Sequence, residues 1–195
     1  MQLLVLSLGI VLMFSSRTAL AGDTAADCSA TQGLQALVCG DPELADDERM
    51  LVDAFASAQR KAGEGLAALK SEQRTWSATR ERCLSDALPW ECVRDHTVRR
   101  TAALQARFRL VDASGQATFV CDSATRDLLK LEFFPTGSFT ETAIARRGGM
   151  DVVLWLAPSA SGSRYVAPGI QVWLAHGEAL VRWGKGSAQR VCRTP

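Results

Sequence analysis

The hydrophobic pattern of this chain changes period across the small-residue stretch VDASGQA at residues 111–117. A chain with two periods needs two kinds of packed layer. Upstream, Leu51, Phe55 and Ala58, then Leu66, Leu69, Trp76 and Leu84, recur at three- and four-residue spacings without β-branched clusters, which predicts helices. Asp41-Pro42-Glu43 starts one of them, with Pro in the first turn and Asp46, Asp47 and Glu48 near the positive dipole end. Gly63 and Gly65 weaken the helix between residues 53 and 69 and mark a turn. Pro89-Trp90-Glu91 opens a third long helix that reaches about Arg109. Downstream the period is two. Phe119-Val120-Cys121 starts a strand, and Leu129, Leu131 and Phe133 alternate with Lys130 and Glu132. Pro135-Thr136-Gly137 turns the chain, residues 139–146 form a further strand, Gly148-Gly149 turns it again, and residues 150–156 are an apolar strand. A last strand, 187–193, follows Gly184-Lys185-Gly186. Many short strands with Gly turns predict an all-β sandwich or barrel. The fold expected is a small all-α helical hairpin bundle at residues 22–110, a linker at 111–117 and an all-β antiparallel domain at 118–195. Charge divides at the same place. Residues 22–117 carry 12 Lys/Arg against 15 Asp/Glu, a balance of −3, and residues 118–195 carry 9 against 6, a balance of +3.

Residues 1–21 have an apolar core and end Ala19-Leu20-Ala21, a small-x-small cleavage signal. The apolar run is too short to cross a bilayer, so it reads as a secretory signal peptide. Cys28, the cysteine nearest the cleavage site, is too far on to carry a lipid. The mature protein is expected in the periplasm or outside the cell, with no stable membrane anchor. All six cysteines lie in the exported part, which implies disulfides. Four fall in the first segment and two, Cys121 and Cys192, in the second, so each domain can close its own pairs. If residues 29–38 are mostly helical, Cys28 and Cys39 stand ~16 Å apart, too far for a bridge. A helical hairpin then pairs Cys39 with Cys83 and leaves Cys28 with Cys92; two local pairs are the alternative. No CxxC occurs, and with only His96 and His176 available no metal site is expected.

Residues 158–183 carry the functional signal. The polar turn Ser159-Ala160-Ser161-Gly162-Ser163 cannot pack a core. An apolar run, residues 170–174, follows and ends at a His176-Gly177 turn, and a second alternating run, 178–183, comes straight back as a β-hairpin. A small polar loop on a rigid antiparallel scaffold is a usual arrangement for recognition. Ser161-Gly162-x-x-Tyr165, then Gly169-Ile170-x-Val172, then an aromatic and a turn glycine, resembles the membrane-bound or periplasmic inhibitor family of c-type lysozymes. The likeness runs from about Thr118 to the C-terminus and takes in Cys121 and Cys192. It implies an eight-stranded antiparallel barrel tied by a Cys121–Cys192 bond. It also implies a c-type lysozyme as partner, with Ser161 in the serine role and His176 where the family has lysine. Gly162, Arg164 and Tyr165 complete the expected binding set, the last two as supports of the loop, and Trp173 and Trp183 are assigned mainly to the barrel core. The first segment resembles the LprI-like N-terminal family, through Cys28, Cys39-x-Asp41-x-x-Leu44, Gln73-x-x-Trp76-x-x-x-Arg80-x-x-Cys83 and Cys92. That family too has a lysozyme-inhibitor association. Gln73, Trp76 and Arg80 lie on one helix face and read as a packing and hydrogen-bonding stripe.

Other chemistries find little support. Ser161 and His176 lack a GxSxG elbow and an orienting acid, so no catalytic residue is assigned. Paired carboxylates for glycosidase work have no distinctive candidates. No phosphate loop or nucleotide fingerprint implies a cofactor, and the scattered basic residues argue against nucleic acid. The competing class is a non-inhibitory envelope module that binds cell-wall fragments or an envelope protein.

Overall fold

The computed structural model describes residue 28 and residues 32–122, 127–135 and 141–195. The expected signal peptide, the Thr136-Gly137 turn and the start of the strand placed at residue 139 lie outside them.

Four α-helices come first: α1 (Gly33–Cys39), α2 (Pro42–Lys61), α3 (Leu66–Glu81) and α4 (Pro89–Arg107). α2 begins where its acids and proline place it. The Asp41 carboxylate accepts from the backbone N–H of Glu43 at 2.9 Å and of Leu44 at 3.0 Å. These bonds, Leu44's foremost, hold its pKa below the ordinary carboxylate value. Gly63, at φ +52° within the 3-10 turn Gly63–Gly65, reverses the chain into α3. The bundle core joins Leu51, Phe55 and Ala58 of α2 to Leu69 of α3 and Leu104 of α4, each 3 % exposed or less. Gln73, Trp76 and Arg80 do form an internal stripe. Arg80 pairs with Glu48 and donates to Thr97 Oγ1 at 3.0 Å, with its guanidinium 4.6 Å from the Trp76 ring centroid. Gln73 Oε1 accepts from Arg100 Nε at 2.9 Å.

The expected Cys39–Cys83 and Cys28–Cys92 pairing is wrong. The bonds are local, Cys28–Cys39 and Cys83–Cys92, each with Cα atoms 5.5 Å apart. The ~16 Å separation required a helix from residue 29 onward. Gln32 is extended, at φ −146° and ψ 164°, and Gly33 has a φ of +78°, so a right-handed helix does not run through them. The hairpin does bring Val38 and Cys83 into one apolar cluster. Cys92, in the first turn of α4, lies nearer still along the chain and takes Cys83.

The second part is a closed barrel of eight antiparallel strands in sequence order, which decides against a sandwich. They are β1 (Gly115–Asp122), β2 (Asp127–Phe134), β3 (Thr142–Arg147), β4 (Met150–Ala157), β5 (Ser163–Ala167), β6 (Ile170–Ala175), β7 (Glu178–Trp183) and β8 (Arg190–Arg193). Residues 115–117, expected as linker, are already strand, with Gly115 opposite Phe133. They have no alternating apolar pattern, so pairing with β2 imposes their conformation. Leu129, Leu131, Ala145, Leu154, Val172 and Val181 point inward and are 1 % exposed or less. The β1–β8 seam is short, registered by the single pair Val120↔Arg193. The Cys121–Cys192 bond lies beside that pair.

The outward face of β2–β4 is covered as well. Phe134, Ile144 and Val153 pack with Ala106 of α4 and with Val111. At the edge of this contact Glu132 of β2 pairs with Arg109, just past α4, and with Arg146 of β3. The Arg109 hydrogen bond, then that of Arg146, holds the Glu132 pKa below the ordinary carboxylate value. Because the folded pKa is the lower one, this stabilisation is full above the unfolded value of about 4.3 and is lost as pH falls through the folded value. Glu132→Gln is expected to cost about 1 kcal/mol at pH 7 and to make the loss of stability below pH 5 shallower. Denaturant melts across pH 3–7 check this, and an acid slope identical to wild type contradicts it.

Candidate functional site

Loops that follow even-numbered strands of an up-and-down barrel share one end. The β4–β5 loop, residues 158–162, and the two-residue β6–β7 turn His176-Gly177 therefore stand together at the end where β1 begins. The turn is a tight hairpin because both residues adopt positive φ, +52° at His176 and +79° at Gly177. Histidine tolerates that region better than most side chains. Ala175 opposite Glu178 closes the hairpin, and His176 is exposed at its tip.

The β4–β5 loop is latched. The Ser161 carbonyl accepts from Trp173 Nε1 at 2.8 Å and from Ser159 Oγ at 2.6 Å. Both bonds engage the backbone, so the hydroxyl of exposed Ser161 is uncommitted among the described residues. Gly162, at φ +63°, passes so close to β6 that a Cβ there would lie 2.1 Å from the Leu174 carbonyl oxygen and 3.2 Å from Trp173 Nε1. The loop is thus a pre-shaped tip of small residues held against its neighbouring strand.

Tyr165 points the other way, into the barrel. It is 2 % exposed, with its ring centroid 5.5 Å from that of Phe133. Its hydroxyl donates to Glu141 Oε1 at 2.7 Å, at the same end of the barrel as the loop. Burial first, and then this bond, push the phenol well above its ordinary pKa. Arg164 faces outward opposite Trp173, half-buried, with its Nε lacking a partner among the described residues. Of the expected set, Ser161 and His176 present side chains at the tip, Gly162 and Arg164 stand at the loop's base, and Tyr165 lies beneath it.

Trp173 differs from its expected place in the core. Val172 is inward and fully buried, so Trp173 is turned out, half-buried, and serves as the latch. The signal was in the alternation Ile170, Val172, Leu174, which fixes residue 173 on the opposite face. Trp183 does pack against the barrel core. His96 lines a cleft between α4 and the barrel. Cys83, Cys92 and His96 place ligand atoms within 4.8 Å of one another, but the two sulfurs are joined in a disulfide.

Residues 119–189, which include both tips, match the family described as membrane-bound lysozyme-inhibitor of c-type lysozyme. Over 161 residues the chain is 30 % identical to "Lipoprotein LprI" of Mycobacterium bovis and of Mycobacterium tuberculosis. That alignment covers 83 % of this chain and 79 % of each relative, and the chain belongs to the LprI family. No solved structure matches it. Both resemblances expected from the sequence are shown by these matches.

Proposed function

We propose that this chain inhibits c-type lysozyme in the periplasm or outside the cell, by seating the β4–β5 loop and the β6–β7 turn in the enzyme's active-site cleft. The observation that carries this reading is the latched loop: an exposed, uncommitted Ser161 hydroxyl on a backbone fixed by Trp173 and Gly162. A c-type lysozyme cleft holds two catalytic carboxylates. The Ser161 hydroxyl donates to one, and the exposed His176 imidazole donates to the other. Small neighbours let the tip enter where bulky ones would not, and a loop held in shape before binding loses little entropy on association. No bond is made or broken, and no cofactor is needed. Among the described residues no helix is long and apolar enough to cross a membrane.

Ser161→Ala is expected to weaken inhibition by about 1.5–3 kcal/mol, roughly 10- to 150-fold, with the thermal transition unchanged. His176→Lys is expected to strengthen inhibition at pH 8, because a lysine ammonium pairs with a carboxylate in a charge-assisted bond. Inhibition constants for the three proteins check both. Wild-type inhibition in a folded Ser161→Ala variant removes this loop from the site.

A further inference from the structure

We infer that the cleft between α4 and the outer face of β4–β5 binds an amphipathic monocarboxylate, an acid group on an alkyl or aryl body. The cleft has a volume of ≈ 630 Å³, within the usual range for small-molecule sites, which favour domain junctions of this kind. It lies on the side of the barrel, whereas the Ser161 and His176 tips stand at one end. Its walls carry the apolar body: the Trp76 ring from the helices, and Val153, Val166 and Pro168 from the barrel.

Two buried donors of its lining residues, Arg100 Nη2 and Trp155 Nε1, lack a hydrogen-bond partner among the described residues. Unpaired buried donors are costly and uncommon, so two of them on residues that line one cleft point to an acceptor. A carboxylate oxygen is the strong acceptor for an N–H of this kind, above all for the guanidinium. The charge balance sets a monoanion. Arg99 is paired with Asp95 at 2.7 Å and Arg107 with Glu72 at 2.6 Å. Arg100 is 4.0 Å from that same Glu72, so three arginines share two carboxylates and one positive charge is left over. Arg100 is also the most deeply buried of the three, with 13 % of its side chain exposed. Desolvation, only partly opposed by Glu72, lowers its pKa. A carboxylate beside it would supply the missing counter-charge. Arg99 lies over the Trp155 ring, 5.8 Å from its centroid.

The test is calorimetric titration of the full mature protein with decanoate below its micellar concentration. Decanamide and decylammonium serve as the neutral and cationic counterparts. Decanoate is expected to bind one-to-one, and decanamide and decylammonium at least about tenfold more weakly, the loss of a charge-assisted bond. Trp155→Phe keeps the ring and deletes one donor, and should weaken decanoate about 5- to 10-fold with the thermal transition retained. Ala103→Trp, which fills the cleft from α4, should abolish binding. Equal binding of decanoate and decanamide overturns the proposal, as does decanoate binding unchanged in a folded Trp155→Phe. Absence of binding by decanoate overturns it too.

Discussion

Gly162→Ala is expected to abolish measurable lysozyme inhibition while leaving a folded barrel. The substitution meets two independent obstacles. Its φ of +63° strains any side chain, and its Cβ would sit 2.1 Å from the Leu174 carbonyl oxygen, a backbone atom that cannot move aside without β6. Positive φ alone costs about 1–2 kcal/mol. Relief of the clash requires the loop to lift away from β6, which breaks the 2.8 Å bond from Trp173 Nε1 to the Ser161 carbonyl. Ser161 then loses its fixed position, so the effect on inhibition should exceed that of Ser161→Ala, more than about 150-fold against the 10- to 150-fold range for one lost donor. Trp173→Phe, which removes only the latch, should fall between the two. Inhibition constants and thermal melts of the three variants measure this order. A folded Gly162→Ala protein that inhibits like wild type would contradict the latched-loop account.

Replacing both Cys121 and Cys192 by serine is expected to cost the barrel about 4 kcal/mol, since the bond closes a loop of sequence separation 71. The position of the bond sharpens the expectation. β8 has four residues and meets β1 through the single registered pair Val120↔Arg193, so the seam has little else to hold it. With the bond gone, β8 should fray first and free the outer edges of β1 and β7, surfaces that invite pairing with other chains. Hydrogen exchange should show residues 190–193 losing protection well before the β2–β4 face covered by α4. Urea unfolding of the double serine variant with the other two disulfides intact gives the magnitude. A loss below about 1 kcal/mol would mean that the seam is held by something else.

The parts of this architecture that are local were legible in the sequence. The His176-Gly177 hairpin needs only two residues of suitable φ between alternating runs, and Asp41-Pro42 carries its own helix start. The two-period division likewise follows from side chains within a few positions of one another. What the sequence hid depends on partners far along the chain. Phe134, Ile144 and Val153 read as ordinary strand residues, and only α4 packed on the outside explains their burial. Trp173 is expected mainly in the core, although the phase set by Val172 turns it outward as the loop's latch. The local disulfides were obscured by assuming helix through Gln32 and Gly33, where the backbone is extended and then left-handed. Gly162 stood out as part of a motif, but the carbonyl it passes lies 12 residues away on another strand.

Titration of the purified mature protein into a c-type lysozyme, read by cell lysis and by hydrolysis of a small soluble substrate, tests the central claim most directly. The account predicts that both activities fall linearly to near zero at one equivalent, that g- and i-type lysozymes are unaffected, and that Gly162→Ala removes the effect. Lysis slowed only in proportion to cell-wall coverage, with hydrolysis of the soluble substrate untouched, would contradict it and identify a wall-binding module instead.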